Sequence, residues 1–106
     1  MPEIRYPEIA ASEVDTTPPQ IVIISPLEGA TVAGKVEVDF WAFDWGGLSG
    51  YYDLHVDGLI VASLTPKSHR RYFQWTSHSG SHVLTISSKD TSGNLGTSVG
   101  VNVTVA

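Results

Sequence analysis

Between Lys35 and Phe43 the sequence alternates strictly. Val36, Val38, Phe40 and Ala42 fall on one side; Lys35, Glu37, Asp39 and Trp41 fall on the other. Only an extended chain turns a period of two into one buried and one open face, because successive side chains of a strand point to opposite faces. A helix would scatter the same apolar positions around its axis. This nine-residue stretch therefore demands an antiparallel sheet with a half-buried strand.

The same period recurs between turn residues. Ile21–Ile24 is a β-branched run stopped by Ser25-Pro26, with Leu27 to Ala30 as a turn. Asp44 to Gly50 is a glycine-bearing loop, after which Tyr52, Leu54 and Val56 alternate with Tyr51, Asp53 and His55. Asp57-Gly58 is a hairpin signal, since a type I′ turn needs positive φ at both central residues. The returning strand runs from Leu59 to Leu64, and Arg70 to Trp75 follows with Phe73 and Trp75 inward. After Ser79-Gly80, His82, Leu84, Ile86 and Ser88 alternate with Val83, Thr85, Ser87 and Lys89. Asp90 to Asn94 is a second loop, and the last strand places Val99, Val101, Val103 and Val105 on one face. Short strands with turn signals roughly every eight to twelve residues predict an all-β sandwich of about seven strands.

Residues 1–19 differ. Pro2, Pro7, Pro18 and Pro19 bias their neighbours to extended geometry, and Ile4, Tyr6, Ile9 and Val14 are isolated apolar residues. The organisation expected is an extended N-terminal arm over 1–19 and one sandwich domain over 20–106.

Several short pieces match in order and spacing. The run from Asp15 through Thr16-Thr17-Pro18-Pro19 to Ser25-Pro26, and then Gly29-Ala30-Thr31-Val32-Ala33-Gly34, resembles the opening of bacterial immunoglobulin-like domains. Val56-Asp57-Gly58, Gly80-Ser81-His82-Val83-Leu84-Thr85 and Asp90-Thr91-Ser92-Gly93-Asn94 are similar to that family's hairpin, its G-S-H-x-L-T segment and its D-x-x-G-N loop. The resemblance spans 15–106. It implies an immunoglobulin-like two-sheet antiparallel sandwich, a non-catalytic bead in a secreted, surface or virion protein, with no catalytic residue to transfer.

The net charge of −5 argues against nucleic acid, which calls for a basic stripe to displace phosphate counterions. No apolar run approaches the roughly 18 residues of a membrane-spanning helix. With no cysteine, thiolate chemistry and disulfides are excluded. No basic stretch followed by an apolar run opens the chain, as a secretory signal would. The expectation is a piece of a longer exported protein, or a chain that reaches the outside within a virus particle, its arm gripping neighbouring subunits.

No serine sits in a G-x-S-x-G elbow, and no glycine-rich phosphate cradle opens a helix; the chain reads as a non-enzyme. His55, His69, His78 and His82 show no tight ligand spacing for zinc or copper. Calcium, which takes six to eight oxygens, is the better metal candidate, from Asp15, Asp44, Asp90 and Asn94. The alternative for Asp44 and Asp90 is capping of their own turns, and with it no cofactor at all. For His82 it is a bond from the ring to a backbone carbonyl.

The aromatic residues carry the binding expectation. If Val36, Val38 and Phe40 face the core, Trp41 and Phe43 face away, and so does Tyr72 if Phe73 points in. Trp45 and Tyr51 add exposed candidates. Such a patch implies a contact, with three candidate partners: the chain's own arm, a neighbouring domain or subunit of a surface or virion assembly, or the rings of a glycan.

Overall fold

In the computed structural model, which describes residues 17–44, 46–68 and 70–106, nine strands pack as two layers, antiparallel except for one parallel pair in the larger layer. They are β1 (Gln20–Ser25), β2 (Ala30–Val32), β3 (Lys35–Phe43), β4 (Leu48–Val56), β5 (Leu59–Leu64), β6 (Tyr72–Thr76), β7 (Gly80–Asp90), β8 (Leu95–Thr97) and β9 (Val101–Val105). A single 3-10 turn at Pro66–Ser68 is the one helical element among the described residues. The smaller sheet has the order β1-β3-β6, and the larger runs β2-β9-β7-β4-β5 with β8 also on β7.

The alternation of β3 does what its period requires: Val36, Val38 and Phe40 are buried. They meet Tyr52, Leu54 and Val56 of β4, Phe73 and Trp75 of β6, and Leu84 and Ile86 of β7 in one core. Phe40 lies at its centre, its ring 5.0 Å from Tyr52 and 5.6 Å from Phe73. The Asp57-Gly58 turn has φ of 53° and 86°, the pair of positive values that a type I′ hairpin needs.

The structure departs from the sequence reading in four places. Ala30, expected in a turn, opens β2, a three-residue strand parallel to β9. Leu48 to Gly50, expected in a loop, begin β4, which bulges there against β7 with Gly50 at φ 87°. The final strand is interrupted, with β8 and β9 lying one after the other along the same edge of β7. At the break Ser98 turns inward: its Oγ accepts the Ile86 N–H at 2.9 Å and its own N–H donates to the Ile86 carbonyl at 2.8 Å. That contact reverses the side-chain parity, so Val99, expected inside, is 87% exposed. Among the described residues the strand count is therefore nine rather than about seven.

Candidate contact face

The outer surface of the smaller sheet is built by strand register. Val22 of β1 pairs with Trp41 of β3, and Gln20 pairs with Phe43, so these side chains share a face. Ile24 is the extra residue of a bulge where β1 pairing shifts between Ile23 and Ser25. Val22 and Ile24 are each 53% exposed, Trp41 48% and Phe43 37%. The rings of Trp41 and Phe43 are parallel to within 5°, with centroids 6.0 Å apart. This is a contiguous apolar stripe of the kind that marks a contact.

Tyr72 stands on the same face but not directly against Trp41. It pairs with Asp39, while Gln74 pairs with Glu37, so the residue directly across from the tyrosine is a carboxylate and Trp41 is only its diagonal neighbour. The Arg70 guanidinium lies 5.0 Å over the Tyr72 ring, a cation–π contact. Asp39 also raises the pKa of Glu37 through a side-chain hydrogen bond and charge repulsion. The face is thus graded along β3, from charged at Lys35, Glu37 and Asp39 to aromatic at Trp41 and Phe43.

Tyr51 is 59% exposed but belongs to the other sheet, where it lines a cleft with Ser49, Asp53, Lys89 and Leu95. The structure does not bring it to the Trp41 stripe. Trp45, His69 and the arm with Asp15 lie outside the described residues.

Asp44 and Asp90 both fold onto their own turns. The Asp44 Oδ1 accepts the Gly46 N–H at 2.7 Å. Asp90, 3% exposed, accepts N–H groups of Ser92 and Asn94 at 2.9 and 2.8 Å on Oδ1 and the Asn94 amide at 2.9 Å on Oδ2. The two loops touch: Thr91 donates from N and Oγ1 to the carbonyls of Gly47 and Gly46 at 3.0 and 2.9 Å. Among the described residues no three histidine, aspartate or glutamate side chains gather where they could hold a metal ion. The Asp44 Oδ2 is buried and has no hydrogen-bond partner among them.

Two histidines find local partners. The Nε2 of His82 lies 2.9 Å from the His78 carbonyl, the backbone bond expected for it, and Nδ1 meets Asp57 as well. The His55 Nε2 lies 2.8 Å from Ser87 Oγ. That pair sits mid-sheet: Ser87 faces Asp53 on one side and Thr97 on the other. Its flanking amides belong to sheet ladders and form no oxyanion hole of the kind an acylating serine requires.

No protein-family model matches the chain, and no curated protein matches it. Among solved structures, it is similar to the fibronectin(III)-like modules of Clostridium thermocellum CbhA, at TM-score 0.67 and 17% identity, covering 80% of this chain and 94% of that one. It is also similar to the endo-beta-1,4-mannanase of Thermotoga petrophila, at TM-score 0.64 and 15% identity. There it covers 87% of this chain but 20% of the other, so this chain spans about a fifth of that enzyme's length. The fold is an immunoglobulin-like, fibronectin(III)-like β-sandwich. Likeness at this identity establishes architecture alone.

Proposed function

We propose that the chain is a non-catalytic accessory module of a longer extracellular or cell-surface protein, of the bacterial immunoglobulin-like kind. It docks on a neighbouring domain or subunit through the outer face of β1 and β3. The observation that carries this reading is the parallel Trp41–Phe43 pair beside exposed Val22 and Ile24. The outer surface of the larger sheet also exposes Tyr51, Ile60, Val83 and Leu95, but these are interspersed with Asp53, His55, Thr85, Lys89, Asn102 and Thr104, and among the described residues they form no parallel ring pair. Similarity to a fibronectin(III)-like module and to part of a mannanase chain supports an accessory role; neither similar structure supports a particle-decoration role. Exchanging Trp41 and Phe43 for serine tests the reading. The double variant is expected to fold, yet to lose docking to the adjoining domain, measured as increased interdomain mobility in solution scattering of the longer polypeptide. Unchanged mobility would refute it.

A second reading has its own support. Parallel aromatic rings beside Asp39, Glu37 and Gln74 offer a stacking surface with hydrogen-bonding groups, suited to a glycan. Pull-down on insoluble β-1,4-mannan and cellulose tests it; retention lost in Trp41→Ser favours the glycan over a protein neighbour.

A further inference from the structure

The two layers differ in width on the side where β5 and β6 end them. Leu59 pairs with the inward-facing Val56, yet it is 72% exposed, and Val61, at a bulge in the same strand, is 47% exposed. The larger sheet therefore overhangs the smaller with apolar side chains that nothing in the described chain covers. Beneath them runs a groove of about 440 Å³, walled by Leu59 and Val61 on one side and Gln74 and Thr76 on the other, with Val56 and Trp75 at its base.

The backbone of β6 turns hydrogen-bonding groups that β3 does not use toward this groove. Phe40 donates its N–H to the Arg71 carbonyl at 3.0 Å, and Ser77 donates to the Gly34 carbonyl at 3.0 Å. Bonded and non-bonded pairs alternate along an antiparallel ladder. Residues 71, 73, 75 and 77 therefore bond to β3, and the N–H and C=O groups of Tyr72, Gln74 and Thr76 point away from it. Among the described residues no strand pairs with that edge. Tyr72–Thr76 also carries no charge and no proline, two of the devices that blunt a free edge. Asp57 at the rim is already engaged by His82 and by the Val83 N–H, so an occupant needs no matching charge there.

We infer that this side of the sandwich is a strand vacancy. An extended segment of another polypeptide, uncharged and with apolar side chains at alternate positions, adds to β6 as a fourth strand of the smaller sheet. Its backbone bonds to Gln74 and Thr76, and its inward side chains cover Leu59 and Val61, the mode of strand addition in which the ladder gives affinity and the pockets give selectivity. The vacancy is separate from the Trp41 stripe and stands or falls without it.

A displayed library of random peptides of roughly ten residues, the upper range of strand length, supplies the probe, panned on the full chain. Enriched peptides are expected to alternate apolar and polar residues. They should bind at least about tenfold more weakly, or roughly 1.4 kcal/mol, to Gln74→Pro, which removes an N–H that β3 does not use. Val61→Lys sets an ammonium against the groove and should weaken binding likewise, whether or not Gln74→Pro folds. Failure to enrich alternating peptides, or binding indifferent to Val61→Lys, overturns the inference. So do self-association that Val61→Lys abolishes, which gives the edge to a second copy, and binding seen only after deletion of residues 1–16, which gives it to the chain's own arm.

Discussion

His82 and Asp57 clasp the β4–β5 hairpin to the start of β7: Nδ1 of the imidazole lies 2.7 Å from Oδ2 of the carboxylate. The other carboxylate oxygen accepts the Val83 N–H at 2.9 Å. With Nε2 facing the His78 carbonyl, both ring nitrogens face acceptors, and only the imidazolium can donate to both.

This clasp makes stability depend on pH. The bond to Asp57, then that to the His78 carbonyl, raises the His82 pKa above its ordinary 6.5. The His82 bond, then the Val83 N–H, lowers that of Asp57 below its ordinary 3.8. The histidine's contribution is complete below the unfolded value and disappears as pH climbs through the raised folded one; the aspartate's is present above its unfolded value and disappears on acidification through the lowered one. Melting temperature is expected to be highest between these limits and to fall from pH 6 toward pH 8. His82→Gln should flatten that fall, and an unaltered slope in thermal melts would count against the clasp.

Tyr52 is 1% exposed and its hydroxyl is buried without a hydrogen-bond partner. Tyr52→Phe therefore breaks no bond and removes an unsatisfied group, which is expected to stabilise by about 1 kcal/mol. Tyr52→Ala opens a cavity against Phe40 and is expected to cost about 3–5 kcal/mol. Urea denaturation of the pair decides the matter, and a loss of stability in Tyr52→Phe would show the hydroxyl to be bonded.

Gly96 is buried in β8, where a Cβ would collide with the carbonyl of Pro19. Gly96→Ala is expected to cost about 1–3 kcal/mol, the usual penalty of overpacking. It should also loosen the approach to β1, read as faster amide exchange at Gln20 and Ile21. A silent substitution would mean that Pro19 does not seat there.

Asp90 organises its loop through three accepted hydrogen bonds. Asp90→Ala is expected to destabilise by roughly 2–3 kcal/mol, on the scale of bonds to a charged group. Because those bonds occupy both carboxylate oxygens, adding calcium or a chelator is expected to leave the melting temperature unchanged. A calcium-dependent rise would instead favour the metal candidate built on Asp15, Asp44, Asp90 and Asn94.

The long strands were legible because period and burial coincide in them: β3 and the Leu84–Ile86 stretch of β7 follow directly from alternation, and the Asp57-Gly58 hairpin from its turn chemistry. β2 was not, since three residues between Gly29 and Gly34 carry too little periodicity, and its partner β9 lies some seventy residues on, Ala30 facing Val103. The parity of Val99 was hidden by Ser98, whose hydroxyl substitutes for a ladder group at Ile86. At the contact face, alternation gave the outward direction of Trp41, Phe43 and Tyr72. It could not give the registers that oppose Tyr72 to Asp39 and Val22 to Trp41. The groove beside β6 depends on unequal sheet widths, a property of strand order that no local pattern encodes.

The parallel pairing of β2 with β9 has a mechanical consequence. β1 sets out beside Phe43 at one pole, whereas β9 ends beside Gly80 at the other. A pull on the two ends therefore runs along the β2–β9 ladder, Ala30 to Val32 against Val103 to Val105, and loads its bonds together in shear instead of peeling them one by one. A short strand that adds little to the core becomes the latch that must slip before tension can open the sandwich.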